Sequence, residues 1–253
     1  MMFGYISKDL KRAAGSKLAR LYLIGTAALI MIANIAVICF RFIYGSNEGT
    51  FAYNVFEYAS WCFLIPYYSC ILLGIIAFGK EYPDAKKEGL APWQMYVAKL
   101  IETIVLAFVF LIIAFALLYV VTQLFHINEG VIIWGVVKSF LQKAALSLPL
   151  WFAGISFAIM FLFLFPNRLA AFLGFAVVTV IIPQLIRIFS LDSFKFEFFR
   201  TIRRYTITQS FGLVPYPSYP ERSVPLIITL GIVYGIIAIV VGMILYGRKA
   251  ADK

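Results

Sequence analysis

Six stretches of the chain contain no Asp, Glu, Lys, Arg or His: Leu21–Phe40, Tyr58–Gly79, Thr103–Phe125, Ala144–Asn167, Leu169–Ile186 and Ser223–Gly247. Their lengths are 20, 22, 23, 24, 18 and 25 residues. A bilayer core of ~30 Å is crossed by ~20 apolar helical residues. Each run is therefore long enough to span, and together they fill more than half of the 253 residues. The pattern predicts an all-α polytopic membrane protein with six transmembrane helices. No connection is long enough for a folded soluble domain, so residues 1–253 read as a single transmembrane domain.

The first twenty residues have a different pattern. At 100° per residue, Phe3, Ile6, Leu10, Ala13, Ala14 and Leu18 fall on one arc, while Lys8, Asp9, Lys11, Arg12 and Ser16 fall elsewhere. Residues 1–20 are expected to form an amphipathic helix in the membrane interface, with the stem of Lys17 snorkelling from its apolar side. They do not read as a cleavable signal, because mixed residues precede the first apolar run and no small-residue cleavage site ends it. Pro66 and Gly74 predict a kink in the second run. The connection from Lys80 to Pro92 is strongly charged. Within it Asp84 is placed to cap a short helix that runs through Glu88 and stops at Gly89. Trp93 and Tyr96 suit an interfacial aromatic belt at the start of the third span. The longest connection, 191–222, interleaves Phe194, Phe196, Phe198, Phe199 and Tyr205 with Lys195, Arg200, Arg203 and Arg204. It reads as helices lying in the interface or re-entering it.

Composition agrees with this frame: 63% of residues are hydrophobic and only 13% charged, against about 25% charged in soluble domains. The net charge of +10 does not indicate nucleic-acid binding, because the basic residues sit at span ends. With the N-terminus inside, the inner segments hold 13 Lys and Arg and the outer segments hold 9, including Lys138 and Lys143. Both termini are therefore expected on the cytoplasmic side of the cell membrane. Cys39, Cys62 and Cys70 lie within spans and read as buried apolar packing.

Motifs for chemistry are sparse. Gly74 to Glu81 nearly spells a phosphate-binding loop, but it lacks the Ser or Thr that holds Mg²⁺ and lies in an apolar span. A single histidine, His126, excludes paired-histidine metal sites, and a triad through His126 and Asp192 has no placed serine. No catalytic, metal or cofactor residue is assigned. Glu102 borders the third span, three residues from Lys99, and reads as one half of a shallow local ion pair. Asn34 and Gln184 are uncharged polar residues inside spans, suited either to a pathway or to interhelical hydrogen bonds. Gly231 and Gly235 form a GxxxG pair in the last span, which permits close helix approach.

The layout resembles the ABC-2 type permeases. The local likeness is carried by Gly79-Lys80-Glu81-Tyr82-Pro83-Asp84 and by Trp93-Gln94-Met95-Tyr96-Val97-Ala98-Lys99-Leu100. It covers essentially the whole chain, and its motifs are loose, so architecture carries more weight than any residue. The resemblance implies the transmembrane subunit of an ATP-binding-cassette exporter, a half-transporter that pairs with a second permease subunit as a homo- or heterodimer. Two separate ATPase subunits would bind ATP and Mg²⁺, so this chain is not itself an enzyme. Residues 81–92 would be a cytoplasmic coupling element, with Glu81, Tyr82, Asp84, Lys86, Lys87 and Glu88 meeting the ATPase. Residues 1–20, with Lys8, Lys11 and Arg12, would be the elbow helix, and 191–222 an extracellular segment. The small size resembles bacterial exporters of amphipathic cargo such as peptide toxins, phenol-soluble modulins among them, or antimicrobial peptides. Export of a hydrophobic drug or lipid is the alternative cargo reading. An ion-coupled carrier or a membrane-embedded enzyme is the alternative class.

Overall fold

A computed structural model describes residues 2–44, 50–79, 88–125, 127, 131–191, 196–216 and 223–251. The described residues are predominantly helical, with turns between the helices and no strand among them. The helices are α1 (Met2–Ala14), α2 (Lys17–Tyr44), α3 (Phe51–Trp61), α4 (Leu64–Phe78), α5 (Pro92–Phe125), α6 (Trp134–Leu164), α7 (Arg168–Ala176), α8 (Ile182–Phe189), α9 (Glu197–Arg203), α10 (Ile207–Leu213) and α11 (Ser223–Ala251). Five helical segments are long and apolar enough to cross a membrane: α2, α5, α6, the continuous stretch Arg168–Phe189, and α11. The chain is a multi-pass, all-helical membrane protein.

The second apolar run is not one straight helix. It falls on α3 and α4, which meet at a bend of 58°. Pro66 has no amide hydrogen to offer the carbonyl of Cys62, so the ladder is broken here. The Ile65 amide donates to that carbonyl instead, at 2.8 Å. Trp151 of α6 then donates its indole N–H to the Phe63 carbonyl at 3.0 Å, which pins the bend against the core. The run containing Pro183 is also irregular, yet it stays continuous. Between α7 and α8 the stretch Val177–Ile181 is π-helical, and the Ile182 amide reaches back to the Val177 carbonyl. A proline just beyond, at the start of α8, removes an ordinary ladder donor, and a π-turn absorbs the loss.

Helix α6 is the centre of the bundle. Glycines let its neighbours approach. A Cβ on Gly154 would stand 2.7 Å from the Tyr67 ring of α4, and one on Gly74 would stand 2.6 Å from Leu162. On the other flank, Gly231 of α11 lies against the Pro149 backbone of α6, and Gly235 against the Phe152 ring. The GxxxG pair is therefore used within the subunit. Tyr96 of α5 donates its hydroxyl to the Ala238 carbonyl at 3.4 Å, tying α5 to α11. Short α10 inserts Ile207 and Phe211 into the same core, beside Tyr67.

Three expectations need correction. The N-terminal helix ends at Ala14 rather than at residue 20, because Gly15 and Ser16 break it. Ser16 then caps α2, its hydroxyl accepting from the Ala19 amide at 3.1 Å. The buried face of α1 is Ile6, Asp9 and Ala13, while Phe3 is 79% exposed and Leu18 lies on α2, also exposed. Cys39 and Cys62 are exposed, and only Cys70 is buried. Lys138 and Lys143 do not belong to a loop, since α6 begins at Trp134 and carries both.

Candidate functional site

The described residues include two interhelical ion pairs, and one of them is part of a buried cluster. The cluster lies where α1 crosses the adjoining ends of α4 and α5. Lys99, 1% exposed, sits two turns into α5, and its side chain runs between α4 and α1. Its Nζ donates to Asp9 of α1, to the Ala77 carbonyl of α4 at 2.7 Å, and to Glu102 Oε2 at 2.9 Å. Arg12 adds a second cation, pairing with Asp9 Oδ1 at 2.8 Å and donating to the same Ala77 carbonyl at 3.0 Å.

Several local features make this arrangement possible. Ala77 is in the last turn of α4, where carbonyls lack intrahelical partners and carry the negative end of the helix dipole, so cations are favoured there. Gly79 has φ of 70°, and a Cβ on it would stand 2.7 Å from the Arg12 guanidinium carbon. The left-handed backbone favours glycine at this position, and its missing side chain leaves room for the arginine. The Lys99 ammonium also lies 5.4 Å from the Tyr5 ring and 5.9 Å from the Phe78 ring, within cation–π range. Burial, and then the negative charge of Asp9, push the Tyr5 hydroxyl above its ordinary pKa, so it remains neutral. Two cations face two carboxylates, which balances the cluster. One atom is not satisfied: Glu102 Oε1 is buried and has no hydrogen-bond partner among the described residues.

The expected Lys99–Glu102 pair is thus present, at 2.9 Å. Both residues are enclosed by protein, and the partner that the local spacing did not reveal is Asp9, ninety positions away in the chain. Of the proposed elbow residues, Arg12 joins the cluster, while Lys8 and Lys11 are exposed. Glu88 is exposed in a turn with Gly89, whose φ is 64°. Glu81, Tyr82, Asp84, Lys86 and Lys87 lie outside the described residues, as do His126 and Asp192. Asn34 is fully buried; its amide donates to the Ile30 carbonyl at 2.9 Å, and its Oδ1 has no partner among the described residues. Gln184 is exposed on α8. The structure does not bring these two together, and neither lines the large cavity described next.

A second ion pair joins Glu57 of α3 to Lys143 of α6 at 2.6 Å. Each residue directly borders an apolar run on the side read as outer. That shared border is the signal from which the pair was legible, and sequence reasoning missed it. Between α2 and the face formed by α4, α5 and α6 lies a cavity of about 1040 Å³ with almost wholly apolar walls. Among the described residues no group of three or more His, Cys, Asp or Glu is placed to hold a metal ion.

Comparison with protein-family models, with curated proteins and with solved structures finds no match.

Proposed function

We propose that this chain is the transmembrane subunit of an ABC-2 type exporter. In this reading the bent α3–α4 pair makes the sixth crossing, and both termini face the cytoplasm at the cell membrane. A second permease subunit completes the dimer. Two separate ATPase subunits bind Mg²⁺–ATP and seat against residues 81–89. The cargo is an amphipathic molecule, with a toxin or antimicrobial peptide as the best candidate.

The observation that carries the proposal is the buried cluster of Asp9, Lys99 and Glu102. It fastens amphipathic α1 to the ends of α4 and α5, and those are the two helices that flank the charged connection. A force applied to that connection by a soluble partner reaches α1, α4 and α5 as one body, because a packed, ion-paired junction shifts as a unit rather than deforming gradually. An interfacial helix that served only to orient the chain would need no buried counter-charge.

The test is association of the full-length protein with an ATPase in the membrane. Wild-type protein purified from its native membrane is expected to carry Mg²⁺-dependent ATP hydrolysis. Lys86→Glu with Lys87→Glu, or deletion of 81–89, is expected to remove that hydrolysis while the chain remains inserted. Hydrolysis that survives both changes would contradict the proposal.

A further inference from the structure

The cavity beside α2 has a shape and chemistry of its own. Five helices line it: α2 from Leu18 to Ala33, the end of α3 at Tyr58 and Ala59, α4 up to Ile76, α5 from Ile104 to Leu118, and α6 from Phe140 to Ile155. At a rise of 1.5 Å per residue the α2, α5 and α6 stretches are each about 21–23 Å long and the α4 stretch about 17 Å. That exceeds one leaflet, which is roughly half of the ~30 Å hydrocarbon core. At about 1040 Å³ the cavity is at the top of the range of small-ligand sites.

Most polar groups in the wall are already engaged. The Tyr22 and Ser69 hydroxyls bond to each other at 2.9 Å, and the Thr26 hydroxyl donates to the Tyr22 carbonyl at 2.9 Å. Cys70 directs its thiol to the Pro66 carbonyl. Apart from the Tyr58 hydroxyl and the Cys62 thiol, the walls therefore offer a ligand dispersion contacts rather than directional bonds. At one end exposed Lys17 and Arg20 flank the lining residues Leu18 and Leu21, whereas at the other Glu57, next to lining Tyr58, is neutralised by its pair with Lys143. A long apolar cleft with cations at its mouth is complementary to a hydrocarbon chain that ends in an anionic group.

We infer that this cleft binds an acyl chain of one anionic phospholipid, with the phosphate at the Lys17–Arg20 end. The site is separate from the ATPase-facing junction and does not depend on the exporter reading.

Gly25 supplies the test. It lines the cleft, and a Cβ added there meets nothing within 4 Å, so the side chain of Gly25→Trp starts in open space and is aimed to occupy the cleft. Full-length protein is stripped of lipid by detergent exchange, incubated with dipalmitoyl phosphatidylglycerol and weighed by native mass spectrometry. Wild type is expected to hold one lipid per chain, and Gly25→Trp at least fivefold less. In parallel, the lipid should slow alkylation of Cys62, which lines the cleft, and leave Cys39, exposed but outside it, unchanged. Continued protection of buried Cys70 shows that the variant is folded. Equal lipid on both proteins, or a Cys62 rate indifferent to lipid, overturns the inference. So does Cys62 protection that tracks protein concentration instead, which would place a second copy of the chain in the cleft.

Discussion

Lys99→Met removes the cation at the centre of the α1–α4–α5 junction and keeps most of its volume. Lys99 is 1% exposed and contacts Asp9, Glu102 Oε2 and the Ala77 carbonyl. After the substitution Asp9 and the Ala77 carbonyl still have Arg12, whereas Glu102 is left as a buried carboxylate with neither oxygen paired to a described residue. Breaking a buried pair in this way costs about 3–5 kcal/mol, most of it the uncompensated charge. At the 2–4 °C per kcal/mol typical of chains of this size, the melting temperature should fall by roughly 6–20 °C. The assay is thermal unfolding in a lipid nanodisc, read by the exposure of Cys70. The triple change Asp9→Asn, Lys99→Met, Glu102→Gln removes the three buried charges together, leaves half-exposed Arg12 to solvent, and should recover at least half of the loss, since a buried ion pair is close to neutral against a polar or apolar replacement of like shape. If Lys99→Met melts within 2 °C of wild type, or the triple variant is worse than the single, the cluster is not an electrostatic junction.

Other consequences follow from the same contacts. Lys143→Met should cost less than Lys99→Met, about 1–2 kcal/mol, because its partner Glu57 is 25% exposed and can be solvated; the same melting assay compares the two. Gly231→Ala should destabilise by roughly 1–3 kcal/mol or more, since its new methyl meets the α6 backbone at Pro149, which cannot rotate away. Gly25→Ala, facing open space, should instead stabilise by up to ~1 kcal/mol through helix propensity. Trp151→Phe leaves the Phe63 carbonyl without its indole donor at the α3–α4 bend. It should cost about 1–3 kcal/mol, and hydrogen exchange should rise locally at residues 60–65.

The fold class was legible because charge is so expensive in a bilayer that its absence marks the spans directly. Five of the six apolar runs coincide with long helices or, at Pro183, with one continuous irregular helix. The second run shows the limit of that signal. Hydropathy records that residues 58–79 are apolar but not that Pro66 and the Trp151 indole fold them into two helices. The junction was half legible. Spacing of three on a helix brings Lys99 and Glu102 together, whereas Asp9 looked like part of a solvated face because its counter-charge is remote in sequence. Helical periodicity placed Ile6 and Ala13, both buried, on the apolar arc of α1 but left out Asp9, since a buried Asp counts against that arc in any pattern based on hydrophobicity alone. Lys143 was assigned to a loop because charge was taken to end a span, yet α6 carries it inward to Glu57.

The central claim is that the chain moves amphipathic cargo with energy from a separate ATPase. Inverted membrane vesicles from cells that express the full-length protein, loaded from outside with a fluorescent amphipathic helical peptide, test it most directly. Accumulation is expected to require Mg²⁺–ATP and to be abolished by Lys86→Glu with Lys87→Glu. Accumulation driven by a proton gradient without nucleotide, or unaffected by the double charge reversal, would contradict the account.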